Sequence, residues 1–168
     1  MIHAKAHVDT DCQIGYGTKI WQFASVTRGA ILGDNCSVSP FVMLDGSVYG
    51  DECLFGAGFA AGAGFKVGNR VFFGPGSLLV NDVWPATNKI GYEEEALRGN
   101  KSFAIIIEDD VCIGAHAIVM PGVRIGKGSV VAANAMVHQN IPENYILTRS
   151  GKLISRTFQG NIRMRWAS

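Results

Sequence analysis

Neither sign of charge is in excess in this sequence: 15 Lys and Arg face 14 Asp and Glu, and only 17% of the residues are charged. A formal net charge of +1 gives no field to gather a polyanion, so neither nucleic acid nor an acidic membrane surface is an expected partner. Long hydrophobic runs are missing as well. Met1-Ile2-His3-Ala4-Lys5-Ala6 leaves no room for an apolar leader before Val8, and no later stretch reaches the length of a membrane span. A soluble, cytoplasmic protein is therefore expected. Cysteine is scarce, with four residues, and in that compartment the thiols should stay free. The four histidines are scattered too widely for a metal site, so no metal is expected.

What the sequence does have is a period of six. Val8, Ile14, Ile20, Val26, Leu32, Val38 and Leu44 are followed by Tyr49, Phe55, Ala61, Val67, Phe73 and Leu79, and then by Ile107, Ile113, Val119, Ile125, Val131 and Val137. All nineteen positions are apolar in a chain whose hydrophobic content is 48%. Nine of the nineteen are followed directly by glycine, as in Ile14-Gly15 and Ile113-Gly114. A fixed hexad is the mark of a parallel β-helix. Three hexads make one triangular coil, which gives about six coils and a prism of roughly 30 Å at strand spacing. Rung side chains should stack inward, Phe55 on Phe73 among them. Cys12, Cys36 and Cys53 fall two residues before a rung, in a column otherwise made of residues such as Ala6, Thr18, Ala24, Ala30, Val42 and Ser47. That column reads as small buried packing.

The frame shifts once by a single residue, between Leu44 and Tyr49, which a corner can absorb. It fails for much longer between Leu79 and Ile107. An insertion of this length in a compact domain is usually functional. The expected organisation is a hexapeptide-repeat β-helix over 1–141 with an inserted loop at 81–104. A C-terminal cap over 142–168 follows, with the basic residues Arg149, Lys152, Arg156, Arg163 and Arg165.

Three stretches carry a resemblance. They are Thr18-Lys19-Ile20-Trp21-Gln22-Phe23; Val71-Phe72-Phe73-Gly74-Pro75 with Val80-Asn81-Asp82 and Pro85; and the run from Ile113 through His116 and Pro121 to Gly126. In these the chain resembles the left-handed β-helix acyltransferases, and more closely the bacterial N-acetyltransferases of nucleotide-linked 3-amino sugars. The resemblance implies the left hand of the helix, acetyl-CoA as cosubstrate along the C-terminal coils, and a homotrimer with active sites between subunits. It also places the acceptor amine at Asn81 and Asp82. Two departures are visible. Phe55 to Phe65 is rich in Gly and Ala, and Thr148-Arg149-Ser150-Gly151-Lys152 stands at the usual closing motif.

Acyl transfer to an amine needs the nitrogen neutral and aimed, a route for its proton, and a donor for the oxyanion. Asn81 would orient the amine and Asp82 take a proton; His116 is the other candidate base. The competing structural reading of Asn81 and Asp82 is an Asx turn that opens the loop. Trp21 and Arg28 are candidates for the base and phosphate of the nucleotide, with trimer packing as the other role of Trp21. Gly114 and Ala132, both small, are candidates for the pantetheine path, and Lys152 and Arg156 for the 3′-phosphate. Two further functions stay open. One is O-acetylation of a sugar or polysaccharide hydroxyl with His116 as base; the other is a noncatalytic β-helical scaffold.

Overall fold

The computed structural model describes residues 1–82 and 103–156. Among these residues there is no helix, and the strands form three parallel sheets that wrap into an all-β solenoid of about seven turns, consistent with a left-handed β-helix. The first face holds seven strands: His7–Val8, Ser25–Thr27, Met43–Asp45, Ala60–Ala61, Leu78–Leu79, Ile118–Val119 and Met136–Val137. The second holds six, from Gln13–Ile14 through Phe65–Val67 and Ile105–Ile107 to Arg124–Ile125. The third runs from Lys19–Ile20 through Phe72–Phe73 and Cys112–Ile113 to Tyr145–Leu147. It ends on one antiparallel strand, Leu153–Ser155.

Of the nineteen rung residues all but Val8 and Ile14 are buried, and those two pack against the core from the open N-terminal end. The aromatic rungs stack as their spacing requires: the Phe55 and Phe73 rings lie 5.3 Å apart and 8° from parallel. The count of coils rises from six to seven because the rung extends beyond both ends of the clear period. Ile2 bridges to Ile20 and Ile141 to Ile125, and Leu147 sits opposite Val131. The step from Val137 to Ile141 is four residues, and this hides the last turn from a search for sixes.

The small column two residues before each rung is buried, and its hydroxyls have a specific task. The Thr18 hydroxyl donates to the Gly33 carbonyl at 2.8 Å and accepts from the Cys36 amide at 2.9 Å. Ser47 does the same between Gly62 and Phe65, and Ser129 between Pro142 and Tyr145. These groups carry the coil-to-coil hydrogen bonding around a corner, where strand pairing lapses and an unpaired buried amide would be costly. The thiols of Cys36 and Cys53 point to the carbonyls of Gly50 and Gly68 in the same way. All four cysteines are free.

Candidate active site

Each coil presents three corners, and these position every candidate side chain. At the corner from the first face to the second, Asn81 and Asp82 follow the strand Leu78–Leu79, where the chain leaves the prism for residues 83–102, which lie outside the described structure. The Asn81 side-chain amide donates to the Ala63 carbonyl of the coil below at 3.1 Å and fills the space above Gly62. This coil-to-coil bond fixes the rotamer and is not the local Asx turn. It also leaves the Asn81 carbonyl oxygen as the oriented acceptor. Asp82 is half-buried, with its Oδ1 shielded from solvent.

His116 occupies the opposite edge of the first face, on the corner that joins the third face to it. It is exposed, adopts a positive φ of 55°, and lays its ring over Gly76, where an added Cβ would meet the imidazole at 2.6 Å. Asn134 follows it one coil later, tied through its amide to the Ala115 carbonyl. The width of the face, about four residues or roughly 13 Å, separates His116 from Asn81 and Asp82 within one subunit. The described chain therefore does not bring the three candidate catalytic residues together.

Trp21 and Arg28 are divided by the same face. Trp21 stands 39% exposed on the third-to-first corner, whereas Arg28, on the first-to-second corner, is committed to Asp45 at 3.3 Å. That ion pair spans one coil and is a surface pair, with the Arg28 side chain 75% exposed. Gly114 has no free side either: a Cβ there would lie 2.7 Å from the Ala132 carbonyl carbon, so its smallness serves the stacking of the next coil. Ala132 is half-buried against the core. Lys152 lies in the turn after Tyr145–Leu147, where its amide donates to the Thr148 hydroxyl at 3.0 Å. Arg156 lies at the far end of the returning strand and donates to the Gly128 carbonyl at 2.8 Å. It lines a cavity of about 390 Å³ with Asp110, Lys127, Gly128, Glu143 and Asn144. Two carboxylates beside the two cations make this a mixed-charge recess. Burial pushes the Cys112 thiol up from its ordinary value, the opposite of what a nucleophilic cysteine requires.

Sequence reasoning passed over one feature of the His116 corner. Phe23 and Phe41, eighteen residues apart, stack at 5.2 Å between centroids and 18° between planes, while 51% and 65% exposed. The signal was present, because a spacing of three hexads puts both in one column.

Comparison with known proteins agrees with this architecture. The sequence family described as the hexapeptide repeat of succinyl-transferase matches residues 104–139. The bifunctional protein GlmU of Exiguobacterium sp. is 31% identical over 136 residues, 81% of this chain and 27% of that protein. The galactoside O-acetyltransferase of Lactococcus lactis is 31% identical over 133 residues, 74% of this chain and 61% of that one. The chain thus spans between about a quarter and three fifths of the length of these relatives. Among solved structures, AntD, an N-acyltransferase from Bacillus cereus in complex with dTDP and 3-hydroxybutyryl-CoA, superposes with a TM-score of 0.66 at 23% identity. That match covers 85% of this chain and 81% of AntD. Perosamine N-acetyltransferase from Caulobacter crescentus, solved with CoA and GDP-perosamine, gives 0.51 at 18% identity, over 92% of this chain and 55% of its own. With the rung, the parallel three-faced solenoid and these relatives in agreement, the chain belongs to the hexapeptide-repeat acyltransferase family.

Proposed function

We propose that the protein is an acetyl-CoA-dependent N-acetyltransferase that acts on a dTDP- or UDP-linked amino sugar. The carrying observation is the Asn81–Asp82 pair, the point where an otherwise uninterrupted prism surface breaks, with the Asn81 amide nitrogen tied to Ala63 and its oxygen left to accept. The neutral amine donates to that oxygen and attacks the thioester carbon. A C–N bond forms, the C–S bond breaks, and the thiolate of CoA leaves. The surplus proton on nitrogen passes to Asp82 or His116. No covalent intermediate on the protein is needed.

One prism is too flat to enclose this reaction, and the separation of His116 from Asn81 supports a site completed by a second subunit. The surface supports the same assembly. The outward side chains of the first face include Met43, Leu78 and Met136, and those of the third face Leu54 and Phe72, all exposed. The second face presents Lys66 and Arg124 beside half-buried Ile31, Val48 and Ile106. Five large apolar side chains exposed on two adjoining faces favour a covering partner. A homotrimer that covers part of these faces supplies the second wall of the site.

The test is release of CoA from acetyl-CoA in the presence of a dTDP- or UDP-linked amino sugar. Asn81→Ala and Asp82→Ala should each lower kcat by about 10²-fold or more, the range for loss of a positioned proton acceptor. Undiminished turnover in both variants rejects the site. The exposed, fixed His116 supports a second reading, transfer to a sugar hydroxyl. In that case His116→Ala abolishes acetylation of a hydroxyl acceptor, and amines are not substrates.

A further inference from the structure

The corner that carries His116 begins, in the first coils, with an aromatic stack that neither packing nor the proposed chemistry uses. Its third position, successive coils apart, reads Lys5, Phe23, Phe41, Gly58, Gly76, His116 and Asn134. Each turn here requires a left-handed backbone: φ is 62° at Phe23, 63° at Phe41, 71° at Gly58 and 66° at Gly76. This region suits glycine and asparagine and is strained for a bulky side chain. The equivalent positions of the other corners hold Gly17, Asn35, Gly128 and Asn144, or charged residues such as Arg28, Arg70 and Asp110 that are engaged in ion pairs. Phe23 and Phe41 have no such compensation and remain more than half exposed. What they have is each other and a cation, Lys5 Nζ, 5.7 Å above the Phe23 ring.

The next position along the corner is open. A Cβ added at Gly58 would meet nothing within 4 Å, so the ledge beyond Phe41 carries no side chain of its own. Gly76 lies under the His116 ring. From Phe41 to His116 is three coils, about 14 Å at strand spacing, and the interval is floored by the two glycines. A flat ring at one end, a bare ledge in the middle and an imidazole at the other match an elongated ligand with a planar aromatic head.

We infer that the Phe23–Phe41 stack is a platform for the nucleobase of the acceptor nucleotide, so that the diphosphate and then the sugar run from the Phe41 side along the Gly58–Gly76 ledge toward His116. This rests on the proposed function and replaces Trp21 and Arg28 as the leading contacts to the nucleotide. Stacking on an aromatic face tolerates any base, and Lys5 over the far face of Phe23 leaves the Phe41 side of the stack for it. The adenine of CoA offers the same chemistry, so the two sources must be separated by experiment.

Phe41→Gly is the informative variant, because glycine is what the same corner already uses at Gly58 and Gly76. Calorimetric titration with dTDP and UDP, and separately with CoA, is expected to show the affinity for dTDP or UDP weakened about tenfold or more, with CoA binding unchanged. Thermal midpoint and sedimentation should match the parent, and Phe41→Tyr should retain nucleotide binding. Three results overturn the inference: nucleotide affinity unchanged in Phe41→Gly, CoA affinity lost in place of nucleotide affinity, or dissociation of the assembly, which would make the rings interface packing. Acetyl transfer by the parent protein to a nucleotide amino sugar, with an unaltered KM in Phe41→Gly, rejects the platform and leaves the proposed function standing. Failure of the parent to transfer to any such acceptor rejects the function itself.

Discussion

The corner between the second and third faces and the corner between the third and first are made by the same four-residue turn, but they use their side chains in opposite ways. At the first, Asp34 Oδ1 accepts from the Tyr16 amide, Asp51 from Asp34, Asn69 from Asp51 and Asp109 from Asn69, at 2.7 to 2.9 Å. Beside this ladder Arg70 pairs with Asp110, and Arg124 with Glu108. Each side chain of the ladder ties one coil to the next, and uncharged Asn69 separates Asp51 from Asp109. At the other corner the equivalent column holds Gln22, Pro40, Ala57, Pro75 and Ala115, with no carboxylate to build such a ladder, and the column beside it holds Phe23, Phe41, two glycines and His116. The first edge is closed by its own polar contacts except at the mixed-charge recess lined by Asp110, Lys127 and Arg156, and the second leaves its rings and its imidazole to solvent.

The largest effect that should separate the two corners is steric. A Cβ at Gly33, below the Asp51 step of the ladder, would sit 2.7 Å from the Gly50 carbonyl carbon and 2.8 Å from the Asp51 amide. That peptide of the next coil cannot yield without opening the stack, so Gly33→Ala should cost about 3 kcal/mol or more and lower the thermal midpoint sharply. Gly58→Ala, on the open corner, meets no atom within 4 Å and should cost only the left-handed strain of about 1 kcal/mol. Equal midpoints for the two variants would show that the corners are packed alike.

The rung that makes both corners could be read directly, because burial on a β-helix depends only on spacing. Seventeen buried positions and the Phe55–Phe73 stack follow from counting sixes. The final turn could not be found that way, since the four-residue step to Ile141 breaks the count while the hydrogen bonds continue. Site residues were legible as types and not as partners. Asp110, the partner of Arg70, lies 40 residues on across the insertion, beyond any fixed count, whereas Asn81 and Ala63 are 18 apart and Gly114 meets Ala132 at the same spacing, one regular coil. The pairing of Arg28 with Asp45 and of Phe23 with Phe41 could have been read by applying the coil repeat to outward positions as well as inward ones.

Removing one step of the ladder is a milder perturbation. Asp51→Ala leaves the Asp34 amide without its 2.8 Å acceptor, but that edge is exposed and water can replace the carboxylate. A loss of about 1 kcal/mol is expected, read as a small fall in the denaturation midpoint, with Asp51→Asn close to the parent. If Asp51→Ala matched the cost of Gly33→Ala, the ladder itself would hold the coils together, and the glycine spaces beneath it would count for little.

The smallest difference is electrostatic and shows itself only in acid. The hydrogen bond and charge of Arg70 hold the Asp110 carboxyl below its ordinary value. A carboxylate with a lowered folded-state pKa stabilises the protein above its unfolded pKa, near 3.9, and the contribution fades as pH falls through the folded value. Both side chains are open to solvent, at 47% and 39% exposure, so the pair is screened and its contribution is small. Arg70→Gln should therefore lower the midpoint slightly at pH 7 and at low salt, and the gap from the parent should close below about pH 3, where the carboxyl is protonated in both proteins. Phe41→Gly, made on the ring-bearing edge, removes no charge and should leave that acid limb unchanged. A pH-dependent gap of similar size for Phe41→Gly would mean that the exposed corner is also held by charge, and the division of labour between the two edges would fail.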